Sequence, residues 1–321
     1  MIDTILWSTI LAISVLVLVQ GSRYFTVAAE RIGLRLGLAP YVIGVAIVAT
    51  GTSLPELVSS VISAARGASE IAVGNVVGSN ITNICLILGL AAVAAGRLPL
   101  DHDKREGALT LLLGSALLIA LMLYDRTFRM LEAVICLLGL AVFLIYNLER
   151  KTEPPLIVCP TLDEEPCVIP RPAPLRWTTW MFLVGGGVGV YLGADFVVRA
   201  VSNIADAAGV GKDIIAATAV ALGTSLPELA VSIVALRSGR TEISVGNILG
   251  SNVFNSFAVL GISALFGPLA VSAQVVRVGI PFMLAATVLA AFALLRGTME
   301  RWGGAIFLLL YALFVAASFV R

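Results

Sequence analysis

The sequence predicts an all-α polytopic membrane protein with ten transmembrane helices, arranged as two inverted five-helix repeats. Three observations support this prediction. The 321-residue chain is 59% hydrophobic and only 13% charged, and its mean hydropathy is +1.00, whereas soluble domains carry about 25% charged residues. Ten apolar runs are long enough to cross a bilayer. The heptapeptide Gly-Thr-Ser-Leu-Pro-Glu-Leu occurs twice, at positions that differ by 172 residues.

The ten predicted spans follow one another closely, except in the middle of the chain. They cover about residues 3–22, 39–65, 71–95, 107–124, 130–148, 178–200, 210–236, 243–267, 277–296 and 302–320. The first run lacks a charged segment before it, which favours a retained helix over a cleaved signal. Residues 149–176 hold seven prolines and an acidic cluster, which is typical of a solvated linker. We therefore expect a first five-helix repeat at 1–148, a linker at 149–176 and a second five-helix repeat at 177–321.

The two halves match without a gap from Gly51–Gly89 to Gly223–Gly261, where 20 of 39 positions are identical. Because each half holds an odd number of spans, the second copy should enter the membrane in the opposite direction. The two heptapeptides would then lie in antiparallel helices. Inverted repeats of this kind place substrate and ion sites near the bilayer midplane, at the interface between the repeats.

The distribution of charge predicts the orientation. With the N-terminus outside, the cytoplasmic loops hold 14 Lys and Arg residues and the outer loops hold 7. The positive-inside rule then predicts that both termini are outside and that the linker is cytoplasmic. We expect a multi-pass protein of the cell membrane, plasma or inner. Cys159 and Cys167 in the linker are reduced by default on that side, although a labile disulfide or a metal pair stays open.

Each heptapeptide places a carboxylate inside a long apolar stretch. An acid at the centre of a span costs about 2.5–3.5 kcal/mol to insert, and such residues usually mark an ion or substrate pathway. Pro55 has no N–H, so carbonyl groups near Ala49–Gly51 lose a helical donor; at membrane depth this is tolerated where they line a cavity or bind something. Glu56 shares a helical face with Thr52 and Ser53. Hard oxygen ligands of these kinds suit Ca²⁺.

The seventh predicted span repeats this arrangement, and the third and eighth spans add polar side chains. Ser79 and Asn83 are i,i+4 neighbours, as are Ser251 and Asn255. Their oxygens can complete a cation site, although polar side chains in membranes also hold helices together by hydrogen bonds.

The paired Gly-Thr-Ser-Leu-Pro-Glu motifs, each followed by Gly-Ser-Asn-x-x-Asn, resemble the α-repeats of the cation/Ca²⁺ exchanger superfamily, most closely those of prokaryotic Na⁺/Ca²⁺ exchangers. The resemblance covers the whole ten-span architecture. It implies that one Ca²⁺ or several Na⁺ bind alternately at the centre, and that the first and sixth spans slide past the rest. The ligands it implies are Ala49, Thr52, Ser53, Glu56, Ser79, Asn83, Ala221, Thr224, Ser225, Glu228, Ser251 and Asn255.

One position departs from that pattern. Many relatives carry Asp at one of the two positions that are Asn83 and Asn255 here, and K⁺-dependent members use an Asp in this region. With two amides the predicted site has a charge of −2, which matches one Ca²⁺. The departure argues against K⁺ dependence and leaves the number of Na⁺ ions open.

The leading prediction is a secondary antiporter that exchanges Na⁺ for Ca²⁺. H⁺/Ca²⁺ exchange is the alternative within transport, because two glutamates can carry protons. A cation channel is a weaker alternative, since channels usually build one pore from rings of charges or carbonyls. No enzyme is predicted, because the spans hold no His and no Ser-Lys or Cys-His pair. The predicted partners are Ca²⁺, Na⁺ and the lipid bilayer, with no cofactor, no nucleic acid and no protein partner indicated.

Overall fold

A computed structural model describes residues 2–100, 105–149, 175–207 and 223–319, which are mostly helical. The helices are α1 (Ile2–Arg35), α2 (Pro40–Thr52), α3 (Leu54–Ala65), α4 (Ser69–Ala95), α5 (Arg105–Met122), α6 (Met130–Glu149), α7 (Trp177–Ala207), α8 (Leu226–Arg237), α9 (Thr241–Phe266), α10 (Val275–Arg296) and α11 (Arg301–Phe319). The strands are β1 (Arg97–Pro99), β2 (Thr127–Phe128), β3 (Leu269–Ala270) and β4 (Thr298–Glu300).

The lengths and apolarity of the helices confirm a polytopic membrane protein. Among the described residues, seven helices are long and apolar enough to cross a bilayer, and α2 and α3, which meet at a 43° bend, count as an eighth if the pair is one broken span. α5 carries a shorter apolar segment, Leu109–Met122. α8 is part of the seventh predicted span, whose residues 210–222 lie outside the described part of the chain, as do His102 and most of the 149–176 linker. Ten spans in two inverted repeats therefore stay a prediction.

The bend between α2 and α3 occurs at the first heptapeptide. Ser53 leaves helical geometry, with φ −88° and ψ 6°, and Pro55 lies in the first turn of α3, where its missing N–H is tolerated. Ser225, before α8, has nearly the same backbone angles, φ −89° and ψ 1°. Both heptapeptides thus begin a new helix just after their serine. Two expectations are corrected here: the Ala49 carbonyl keeps a helical donor, the Ser53 N–H, and Thr52, Ser53 and Glu56 do not share one continuous helical face, because the helix breaks between them.

α4 and α9 form the centre of the molecule. In their apolar segments 78% and 89% of residues are buried, compared with 22% in α1 and in α7. α2 lies directly on the backbone of α9: a Cβ on Gly246 would stand 2.4 Å from the Tyr41 carbonyl oxygen, and one on Gly44 would stand 2.4 Å from that of Ile243. Glycines at such crossings let helices approach closely. A helix of the first half is therefore seated on a helix of the second.

α1 and α7 form a long pair at the edge of the molecule. They contain 34 and 31 residues, or about 50 Å at 1.5 Å per residue, which exceeds the roughly 30 Å hydrocarbon core, so each helix extends beyond that core or tilts within it. Glycines bring the two backbones together. A Cβ on Gly186 would lie 2.6 Å from the Phe25 nitrogen, and one on Gly193 would lie 2.7 Å from the Leu18 nitrogen. The pair therefore has a close interface of its own.

We expect Gly186→Ala to separate α1 from α7 and to lower stability by about 1–3 kcal/mol, the usual cost of overpacking a tight contact. Gly185→Ala is the matched control, because a Cβ there meets no described atom within 4 Å. Thermal unfolding of both variants in detergent checks the expectation. Equal melting temperatures for the two variants would show that the close contact at Gly186 does not contribute to stability.

Contacts at the ends of the helices also join the two halves of the chain. β1 pairs with β4, and β2 pairs with β3, both antiparallel, so each ribbon takes one strand from each half. The Arg240 Nε donates to Glu30 Oε2 at 2.6 Å, which ties α1 to the residue before α9. The all-α prediction missed these four strands. Strands of two or three residues leave too short a pattern to recognise in a sequence.

Candidate cation-binding site

The two heptapeptides meet in space and contact each other's half of the chain. The Ser53 hydroxyl donates to Glu228 Oε1 at 2.9 Å, across 175 positions of sequence. The Ser79 and Thr224 hydroxyls lie 3.5 Å apart. The helix breaks thus bring the polar ends of α2 and α8 against α4 and α9, where the sequence predicted a shared site.

Most of the predicted ligands are enclosed within the protein. Ser53, Glu56 and Glu228 are each 0% exposed, and Thr224 is half-buried. The other described members of the predicted set are also buried: Ala49, Thr52, Ser79, Asn83, Ser225, Ser251 and Asn255. Ala221 lies outside the described residues.

Many polar atoms at this site lack a hydrogen-bond partner among the described residues. Nine such atoms belong to six of the predicted ligands: Glu56, Asn83, Ser225, Glu228, Ser251 and Asn255. Both carboxylate oxygens of Glu56 are among them. Burying a polar group without a partner is costly, and a buried charge more so. Seven of the nine atoms are oxygens, and a cation that accepts lone pairs from carboxylate, amide and hydroxyl oxygens would satisfy them; the other two are the amide nitrogens of Asn83 and Asn255, which are donors.

The backbone is distorted next to several of these side chains. π-helical turns cover Ile43–Val48 in α2, Thr82–Leu88 in α4 and Asn255–Val259 in α9. Single turns of this kind are frequent at functional sites, because they change the direction of side chains within a continuous helix. Asn83 and Asn255 lie within the last two of these stretches, so their amides are displaced from ordinary α-helical positions.

Two residues of the site were not among the predicted ligands. The Thr52 hydroxyl donates to Asn247 Oδ1 at 3.1 Å, and the Thr224 hydroxyl donates to Asn75 Oδ1 at 3.2 Å. Asn75 and Asn247 occupy matching positions in the two repeats, and this match was the only feature of the sequence that could have pointed to them as residues of the site. Nothing in the sequence indicated that each asparagine binds the threonine of the opposite half.

The arrangement suits hard cations. It offers two carboxylates and a larger number of neutral oxygens, the ligand type that Ca²⁺ takes in flexible geometry. Among the described residues, no group of three or more His, Cys, Asp or Glu could hold a metal ion. Cys85 and Cys136 are buried free thiols. Soft transition metals therefore lack their usual ligands in this part of the chain.

A broken helix and a second helix start that carry buried carboxylates into the centre of a multi-pass membrane protein are typical of secondary cation transporters. The family model described as "Sodium/calcium exchanger protein" matches residues 6–149 and 178–320. The chain belongs to this family and is a transmembrane antiporter. The model matches both predicted repeats and leaves out the region between them.

Relatives of known sequence or structure match most of the chain. The sodium/calcium exchanger MaX1 of Methanosarcina acetivorans is 33% identical, with 97% of each chain covered. The inner membrane protein YrbG of Escherichia coli is 31% identical, with 82% of this chain and 81% of that one covered. A solved structure of the sodium-calcium exchanger NCX_Mj, soaked with Na⁺ and Ca²⁺, superposes with a TM-score of 0.82 at 27% identity, covering 99% of each chain.

Proposed function

We propose that this protein exchanges Na⁺ for Ca²⁺ by alternating access at a central site. The observation that carries the proposal is the set of seven buried oxygens, on six residues of both halves, that have no partner among the described residues. The names of MaX1 and NCX_Mj support Na⁺ and Ca²⁺ as the transported ions. No cofactor, nucleic acid or protein partner is proposed, and no enzymatic activity, since the family consists of exchangers.

The charge of the site supports exchange rather than the binding of one ion type. Glu56 and Glu228 together supply a charge of −2, which one Ca²⁺ or two Na⁺ neutralise equally. The surrounding oxygens are neutral, so both ions compete for one centre. Na⁺ should therefore inhibit Ca²⁺ binding competitively, and binding of either ion set excludes the other.

We assign direct contact with the ions to the predicted ligands. The two carboxylates hold Ca²⁺, while hydroxyls, amides and the carbonyls of Ala49 and Ala221 contribute to the Na⁺ positions. The Ala49 carbonyl accepts the Ser53 N–H at 3.0 Å, and a carbonyl oxygen has a second lone pair for a cation. The full proposed set is Ala49, Thr52, Ser53, Glu56, Ser79, Asn83, Ala221, Thr224, Ser225, Glu228, Ser251 and Asn255.

The proposed architecture is ten spans in two inverted repeats, at 1–148 and 177–321, joined by the linker at 149–176. Sliding of α1 and α7 would open the site alternately to each side of the membrane. The low burial of these two helices, 22% of their apolar segments, and their glycine-lined mutual contact support movement of the pair as a unit. α4 and α9 would stay fixed at the centre.

Proteoliposomes test the coupling ion directly. Vesicles loaded with Na⁺ should take up ⁴⁵Ca²⁺ at constant pH when external Na⁺ is low, and replacing external choline by K⁺ should leave the rate unchanged. Uptake that follows an imposed pH gradient and ignores Na⁺ would assign the protein to H⁺/Ca²⁺ exchange. Ca²⁺ flux that needs no counter-ion on the far side would indicate a channel.

For localisation we propose the plasma or inner membrane, with both termini outside and a cytoplasmic linker. The natural Cys159 and Cys167 report on the linker, because Cys85 and Cys136 are buried. We expect an impermeant thiol reagent to leave the wild-type protein unlabelled in intact cells and to label Arg66→Cys, at the exposed end of α3. Labelling of the wild-type protein without permeabilisation would contradict this orientation.

A further inference from the structure

Asn75 in α4 and Asn247 in α9 occupy equivalent positions in the two repeats, and both side chains are buried, at 9% and 0% exposure. A primary amide has two N–H donors and one carbonyl acceptor. Inside a membrane protein each of these must find a partner within the protein. The partners of the two amides show what the side chains do.

The Asn247 amide is oriented by its own half of the chain. Its Nδ2 donates to Ser232 Oγ at 2.9 Å and to the Glu228 carbonyl oxygen at 3.4 Å. Both acceptors lie in α8. Because they engage the nitrogen, the amide oxygen must face the other way, where it accepts the Thr52 hydroxyl at 3.1 Å. The helix that carries Glu228 is thereby connected to the threonine of the first heptapeptide.

Asn75 repeats the same connections in the other direction. Its Nδ2 donates to Ser60 Oγ at 3.0 Å and to the Glu56 carbonyl oxygen at 3.4 Å. Its Oδ1 accepts the Thr224 hydroxyl at 3.2 Å. The same three contacts therefore occur at matched positions of the two repeats.

These contacts determine where the hydroxyl hydrogen of each threonine points. A threonine hydroxyl has one hydrogen to donate and two lone pairs. The Thr52 hydroxyl can reach two acceptors, Asn247 Oδ1 at 3.1 Å and the Ala49 carbonyl oxygen at 3.3 Å. While the hydrogen points to Asn247, the lone pairs of the hydroxyl stay available to a cation, and so does the one lone pair of the Ala49 carbonyl that the Ser53 N–H does not occupy. Without Asn247 the hydrogen turns to that carbonyl and competes with the ion.

We infer that Asn75 and Asn247 are positioning residues for Na⁺, each of which holds the threonine hydroxyl of the opposite repeat as a cation acceptor. The inference rests on the proposed function, because Thr52 and Thr224 act here as Na⁺ ligands. Ca²⁺ depends mainly on the two carboxylates, so the effect falls chiefly on Na⁺. Each asparagine also links the main chain of one glutamate to the other repeat.

The internal repeat supplies a test with its own control. Asn247→Ala should raise the Na⁺ concentration that half-inhibits ⁴⁵Ca²⁺ binding to purified protein by roughly two- to tenfold, the range for one hydrogen bond. In a Thr52→Val background the same change should have almost no further effect, since its partner hydroxyl is gone. In a Thr224→Val background, where the two residues do not contact each other, the full effect should return. For Asn75→Ala the two backgrounds exchange roles: the change should have almost no further effect in Thr224→Val and its full effect in Thr52→Val.

The outcomes of these experiments distinguish a positioning role of Asn247 from a packing role. Equal effects of Asn247→Ala in both threonine backgrounds would overturn the inference and leave a packing role only, because residues without contact contribute additively. If Asn247→Ala does not fold, Asn247→Ser is the second variant, and the Asn75 cycle is independent of both. Failure of Na⁺ to compete with Ca²⁺ in the wild-type protein would instead overturn the proposed function.

Discussion

Glu56→Gln and Glu228→Gln are each expected to abolish Ca²⁺ exchange while the protein stays folded. Each change halves the charge that faces a divalent ion, and removing one partner of a buried charged pair typically costs about 3–5 kcal/mol, or roughly a hundredfold or more in binding. Glutamine keeps the shape of the side chain, and its carbonyl can still accept the Ser53 hydroxyl that now binds Glu228. ⁴⁵Ca²⁺ uptake by Na⁺-loaded proteoliposomes measures the loss.

Glu70→Gln provides the control for these variants. Glu70 lies in the first turn of α4 and is exposed, so its replacement removes the same charge outside the site. Elution of every variant as a single species in detergent would show that folding is intact. Transport at near wild-type rates by either Glu56→Gln or Glu228→Gln would exclude that acid as a ligand, and the central-site proposal would fail.

Asn255→Asp is expected to change the Na⁺ dependence of exchange several-fold, and more than it changes Ca²⁺ affinity. Asn255 is 0% exposed, and neither polar atom of its amide has a partner among the described residues. The new carboxylate brings the site to −3. One Ca²⁺ leaves a negative charge uncompensated there, whereas a third Na⁺ neutralises it, so the balance between the ions moves toward Na⁺.

Asn83→Asp adds the same charge in the other repeat and should act in the same direction. Asn203→Asp, at an exposed position near the end of α7, controls for net charge. Titrations of ⁴⁵Ca²⁺ binding at several Na⁺ concentrations measure both affinities in one experiment. A larger change in Ca²⁺ affinity than in Na⁺ inhibition, or an equal response from Asn203→Asp, would contradict this expectation.

The sequence indicated the class of fold and the bend at the first heptapeptide because both depend on residues with few other uses. An acid next to proline in an apolar stretch predicts a helix break with a polar end, and the structure bends there by 43°. The exact repetition of the heptapeptide indicated that two such ends belong together. The separation of Ser53 and Glu228 by 2.9 Å agrees with this interpretation.

Other features had no signal of their own in one sequence. π-helical turns such as Asn255–Val259 arise from packing around a helix and not from the type of a single residue. The close contact of α7 with α1 at Gly186 and Gly193 was not predicted, because one sequence does not show which helices are neighbours. The bonds from Asn75 and Asn247 cross from one repeat to the other, and matched positions in a repeat do not reveal which half each side chain faces.

The contacts that complete the site join residues far apart in the chain, and this bears on biogenesis. Ser53 and Glu228 are 175 positions apart, and Thr52 and Asn247 are 195 apart. At about 5–20 residues per second, a ribosome needs roughly 10–40 s to add that much chain. During that interval Glu56 is already synthesised, while Glu228 and Asn247 of the second half do not yet exist. Docking of the late half onto the early one is therefore the step that creates the site, and until then the nascent first half carries its acid without the groups that surround it in the finished transporter.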